Sequence, residues 1–291
     1  MPILEVKNLS LKLGKIQRLK DCSFTVEKGE IFGLLGQNGS GKSSIIKSAI
    51  GLFKPSAGEI IFSCSREEIG YVPQHFAFFP EYTVEENLRF FCRLEKNPKT
   101  VDELLAEFGL ADVKKTPAGH LSGGYKRLLN MAISMPKKVE LLILDEPTAN
   151  MDVLIRKQIM EFIQKINDSG TSIIITTHYM DEAEQYCDRV ALVADGKIAA
   201  VGDVPQLVER YGGMYSVEAA SVQATELASS LKKAGFKPSV AGKKVRTEIP
   251  NALGNSGTIR AMKIFSKFPI SSLKVDEPSL SKAVERLYKH A

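Results

Sequence analysis

The chain has 291 residues, 44% hydrophobic and 25% charged, with 39 Lys and Arg against 34 Asp and Glu. That length suits one large or two modest domains, and the balance is globular rather than disordered. An even excess of +5 would be too weak to argue for nucleic acid, and no apolar run reaches the roughly 18 residues of a membrane span.

The start, Met-Pro-Ile-Leu-Glu-Val, lacks the basic-then-apolar pattern of a secretory signal. Cys22, Cys64, Cys92 and Cys187 are far apart with no C-x-x-C pair, and read as reduced thiols of a cytosolic protein. In chain order, Ile3–Val6 and Cys22–Val26 alternate apolar with polar residues. Gly14 and Lys28-Gly29 supply turns, so paired strands are expected. Ile31–Leu35 is a continuous apolar run of the buried-strand kind, followed by a glycine-rich turn and a helical stretch from Ser43 to Gly51. Residues 76–137 read as a helical block. Thr83-Val84-Glu85-Glu86 fits a capping box ahead of a helix through Leu94, a second helix fits Val101–Phe108, and a third begins at Ser122. Apolar strands then resume at Leu141–Leu144, Ile173–Ile175 and Val190–Val193, with a helix over Val153–Ile166. Alternating strands and helices predict a parallel sheet.

Gly212-Gly213 punctuates the chain, predicting domains at 1–213 and 214–291. The second reads as strand Met214–Ala219, helix Thr225–Ala234, a hairpin around Ala241-Gly242, helix Thr258–Phe268, strand Ile270–Val275 and helix Leu280–Tyr288. That order fits a small ferredoxin-like α+β domain. It carries 13 basic and 6 acidic residues, so the remainder holds 26 against 28. The charge therefore sits in the small domain. A solvated lysine face is the simpler reading, and attraction to anionic lipid or an acidic partner the sharper one.

Gly36-Gln37-Asn38-Gly39-Ser40-Gly41-Lys42-Ser43 matches the phosphate-binding GxxxxGK[ST] pattern, between a strand and a helix. Glycines let successive backbone N–H groups turn toward phosphate oxygens, and the helix that follows adds its positive end. Lys42 is placed for the β- and γ-phosphates of a nucleotide and Ser43 for Mg²⁺, with Ser44 next in the nucleotide-binding set. Leu141–Leu144 delivers Asp145 to the carboxyl edge of the sheet, where it can hold the magnesium shell. Glu146 follows and can polarise a water.

Leu121-Ser122-Gly123-Gly124 resembles the signature motif of ATP-binding cassette (ABC) ATPases, and Tyr71-Val72-Pro73-Gln74 their Q-loop. His178 is similar to the switch histidine, and Thr148-Ala149-Asn150-Met151-Asp152 to the D-loop. The resemblance covers roughly residues 1–210 and is nearest to single-cassette subunits of bacterial exporters, some of which carry a C-terminal domain. It implies an α/β P-loop core with an antiparallel β subdomain and a helical subdomain. It also implies a Mg²⁺-dependent ATPase that dimerises head to tail around ATP, as a homodimer or with a second ATPase subunit. Glu146, His178 and Gln74 would then be catalytic, Gln74 would also sense the magnesium, and Asp152 would serve the D-loop. Ser122, Gly123 and Gly124 would contact the partner's ATP. A separate transmembrane permease would receive the work, with the chain peripheral on the cytoplasmic membrane face. A soluble ABC-type ATPase acting on nucleic acid or ribosomes is the alternative. One P-loop, one signature and no long heptad run disfavour it, so no nucleic acid is expected. The adenine-stacking aromatic of the family is replaced by Leu13, which predicts an aliphatic contact. Tyr125 follows the signature instead of glutamine, and the short Gly58–Gln74 stretch predicts a trimmed strand or turn. His75–Pro80 is aromatic-rich and, in the family, borders the groove for a helix of the membrane subunit.

Overall fold

The computed structural model describes residues 1–250 and 253–289, with side chains through residue 287. Strands β1 (Pro2–Leu13) and β2 (Ile16–Glu27) form a long hairpin that buries Leu9, Leu11, Cys22, Phe24 and Val26. β3 (Ile31–Leu35) is buried at every position and runs through the glycine-rich loop into α1 (Lys42–Ala49). β4 (Ala57–Phe62) pairs with β1, completing an antiparallel sheet of order β2-β1-β4, and β5 (Ile69–Val72) follows a 3₁₀ turn. Short as it is, the Gly58–Gln74 stretch holds most of β4 and all of β5, which serve two different sheets. Its half-exposed, weakly alternating residues hid them.

The helical block holds α2 (Val84–Cys92), α3 (Val101–Glu107) and α4 (Gly123–Ala132). Two capping boxes start the first pair. Thr83 accepts from the Glu86 amide and Thr100 from the Glu103 amide, while each glutamate reaches back to its threonine. Those contacts, led by the backbone hydrogen bond, hold the Glu86 and Glu103 carboxyls below the usual glutamate range. Beyond lie β6 (Leu141–Asp145), α5 (Val153–Asp168), β7 (Ser172–Thr177), α6 (Met180–Tyr186), β8 (Arg189–Ala194), β9 (Lys197–Asp203) and α7 (Val204–Tyr211).

The large sheet has order β5-β6-β7-β3-β8-β9, parallel except for β9. One of its faces packs with the helices, around Leu88, Leu104, Leu129, Leu142 and Ile175. The other packs with α1 and the antiparallel sheet, around Leu11, Phe32, Ile45, Ile143 and Ile174. With both faces covered, the inner strands β3, β6, β7 and β8 are buried at nearly every position, without alternation. Three neighbouring strands, β6, β7 and β3, end at Asp145, Thr177 and Leu35, so the segments that follow them emerge along one edge.

Packing divides the chain into two compact units, with the break between Val204 and Pro205. The second contains β10 (Tyr215–Ser221), α8 (Ala224–Lys233), β11 (Lys237–Ala241), β12 (Lys244–Ile249), α9 (Gly254–Phe265), β13 (Ile270–Asp276) and α10 (Leu280–Lys289). Its sheet is antiparallel, ordered β11-β12-β10-β13, over a core that includes Val217, Leu227, Leu231, Phe236 and Phe265. From β10 to β13 the order is β-α-β-β-α-β, as read from the sequence.

Candidate nucleotide site

A cavity of about 230 Å³ opens at the start of α1, lined among others by Asn38, Gly39, Gly41, Lys42, Ser43 and Ser44. Gly39 and Gly41 have φ of +84° and +119°, backbone that L side chains rarely adopt, so the loop needs glycine at both positions. Lys42 is 4% exposed. Its Nζ donates to the carbonyls of Gly36 at 2.8 Å and Gln37 at 3.1 Å and lies 3.7 Å from Glu146 Oε1. Burial pushes the Lys42 ammonium down from its ordinary pKa, against the pull of Glu146 and Asp145. Ser40 is buried in the loop, and its hydroxyl has no hydrogen-bond partner among the described residues.

Asp145 and Glu146 are both buried. Ser43 Oγ donates to Asp145 Oδ1 at 3.0 Å, and Thr176 Oγ1 on β7 donates to the same oxygen at 2.6 Å. The Glu146 amide donates to Thr176 Oγ1 at 2.9 Å. Glu146 itself has φ +47°, a strained conformation that is held by its surroundings and that clusters at functional sites. Gln74 Nε2 donates to Glu146 Oε2 at 3.0 Å, and His178 Nδ1 stands 3.8 Å from Glu146 Oε1. Lysine, glutamine and histidine thus surround one carboxylate. His178 Nδ1 is buried without a hydrogen-bond partner among the described residues, and His178 stands behind Glu146 rather than in the cavity lining.

Supporting residues escaped the sequence reading. Buried Glu182 accepts from Thr148 Oγ1 at 2.6 Å, Thr177 Oγ1 at 2.8 Å and Arg156 Nε at 2.9 Å. The Arg156 guanidinium also lies 3.6 Å from the Tyr179 ring centre, tying the Thr148–Asp152 segment to the His178 loop. Arg127 on α4 is 2% exposed and donates to the Pro73 and Gln74 carbonyls at 3.2 and 3.3 Å. Burial lowers its pKa to about 10. The helix that Ser122 opens therefore also holds the Gln74 loop. A polar residue recurring on an otherwise apolar helix face, as Arg127 and Asn130 do, was the available signal.

The structure does not bring every expected residue to this cavity. Ser122 caps α4 and Asp152 caps α5, and neither lines it. Ser122 and Gly124 border a separate cavity of about 310 Å³, lined also by Tyr125 and Ile155. Gly123 is exposed. Leu13 is 38% exposed and does not line the nucleotide cavity; Arg18 does.

The sequence matches the family described as ABC transporter over residues 19–149. It is 36% identical over 225 residues to the linearmycin resistance ATP-binding protein LnrL of Bacillus subtilis (strain 168), covering 72% of each chain. It is 38% identical over 224 residues to the Nod factor export ATP-binding protein I of Rhizobium sp. (strain N33), covering 72% of this chain and 74% of that protein. Among solved structures, cbiO1 from Clostridium perfringens, part of the ABC transporter complex cbiONQ, matches with a TM-score of 0.66 and 29% identity. That match covers 80% of this chain and 97% of the other. The chain belongs to the ABC transporter ATP-binding family and is an ATPase.

Proposed function

We propose that the chain is the ATP-hydrolysing subunit of an exporter, working as a head-to-tail dimer on a separate transmembrane permease. The observation that carries this is the convergence of Lys42, Gln74 and His178 on Glu146 beside the glycine loop. In this reading the backbone N–H groups of Gly39–Ser44 and the amino end of α1 bind the ATP phosphates. Lys42 meets the β- and γ-phosphates. Ser43 and Asp145 form a pair of oxygen donors of the kind that suits magnesium, with Gln74 completing the set. Magnesium held there would neutralise phosphate charge. Glu146 orients the attacking water as general base, and His178 and Gln74 fix its carboxylate.

Ser122, Gly123 and Gly124 lie on a helix start outside the chain's own P-loop cavity. A second ATPase chain would bring them to the γ-phosphate, with Asp152 and its segment at the junction. Hydrolysis then removes the bridging charge and the pair opens. Among the described residues no helix is long and apolar enough to cross a membrane, and in this reading the membrane-spanning part is a separate chain. The linearmycin resistance and Nod factor export proteins support the exporter class. A peripheral position on the cytoplasmic membrane face follows from that assembly. The test is Lys42→Ala: nucleotide binding, measured by calorimetry, should fall below detection. Retained tight ATP affinity would remove the P-loop from its role.

A further inference from the structure

The β1–β2 hairpin does not pair evenly near its turn. Leu13 faces Ile16 and Lys12 faces Gln17, but the next pair is Leu11 with Leu19. Arg18 is therefore the extra residue of a β-bulge on β2. Such bulges re-aim a side chain and occur beside active sites. This one is fastened to the P-loop through the Asp195-Gly196 turn between β8 and β9. The Gly196 amide donates to the Ser40 carbonyl at 2.8 Å, and the Gly196 carbonyl accepts from the Lys20 amide at 2.7 Å and Cys22 Sγ at 3.2 Å. Gly196 has φ +76°, and a Cβ there would fall 2.2 Å from the Arg18 carbonyl oxygen, so only glycine permits this approach.

The bulge gives Arg18 a fixed backbone and a free head. Its exposed side chain lines the cavity, while it makes no hydrogen bond or ion pair with another described residue. It reaches the cavity from the antiparallel sheet, whereas Asp145, Glu146 and His178 come from the carboxyl edge of the parallel one. Lys42 and the loop amides already serve phosphate. Leu13 offers no ring.

We propose that Arg18 is a nucleotide-contacting residue that clamps the adenine base, its guanidinium plane stacked on the purine face. The inference rests on the reading of this cavity as the ATP site. A guanidinium is planar, permanently charged and weakly hydrated, so it stacks on π faces in a way an ammonium does not.

The test measures ATP and inorganic tripolyphosphate binding by calorimetry on the full chain, for wild type, Arg18→Ala, Arg18→Lys and Lys42→Ala. Arg18→Ala should raise the Kd for ATP by about tenfold and leave that for tripolyphosphate within about twofold. Arg18→Lys should not restore the loss. An equal loss for both ligands would make Arg18 a phosphate contact and overturn the proposal, as would unchanged ATP affinity or full rescue by lysine. Lys42→Ala should weaken both ligands. If it weakened neither, the P-loop reading would fail, whatever Arg18 does.

Discussion

Glu146 is held in place by its neighbours rather than by its own backbone preference. Its φ of +47° is costly for a residue with a Cβ, and the Thr176 hydroxyl fixes it by accepting from the Glu146 amide while donating to Asp145. Replacing that hydroxyl by a methyl leaves a buried carboxylate short of a donor, at a cost of about 1–3 kcal/mol. Thr176→Val should therefore lower the melting temperature and reduce ATPase turnover by roughly tenfold as Asp145 and Glu146 shift. Unchanged turnover and stability would mean that the two carboxylates do not depend on Thr176. Residues bearing a sequence motif, such as Lys42 and Glu146, were legible because their spacing is fixed by chemistry. Thr176 and Glu182 were not, since a buried threonine on a strand and a glutamate early in a short helix look ordinary until the fold juxtaposes them.

The aromatic segment after Gln74 divides in two at the level of elements. Phe78 packs against the core shared by the helices and the large sheet. Phe79 is 40% exposed, ringed by Tyr82, Phe90 and Phe91, and its backbone is bonded to the fully buried Asn87 side chain. Tyr82 and Phe90 beside it are likewise exposed, an aromatic surface that the proposed assembly would use to dock the permease. Phe79→Glu should weaken co-purification with the permease from solubilised membranes by about tenfold and leave basal ATPase within about twofold. Unfolding of that variant would assign the surface to packing instead. Strands β3, β6 and β7 were legible because burial on both faces makes them uniformly apolar. β4 and β5 were missed because each is short and interrupts its few apolar residues with glycine or a polar residue. The Arg18 bulge left no trace in sequence, since a bulge depends on partner register.

Across the whole molecule, the mild charge excess separates the two units. The basic residues concentrate in the segment from 214 onward, where Lys232 and Lys233 end α8 and Lys243 and Lys244 lie at the β11–β12 hairpin. The ATPase unit is near neutral in charge, and its chemistry gathers at one sheet edge because β6 and β7 end there beside β3, a strand from far earlier in the sequence. The signature residues Ser122–Gly124 are absent from the lining of the P-loop cavity. This separation is why a single chain is half of the proposed machine. The central claim is that Glu146 is the base for hydrolysis in that machine, and one measurement tests it most directly: ATP binding and steady-state ATPase of Glu146→Gln beside wild type. ATP affinity should be retained while turnover falls by about 10²- to 10⁴-fold; turnover close to wild type would contradict the account.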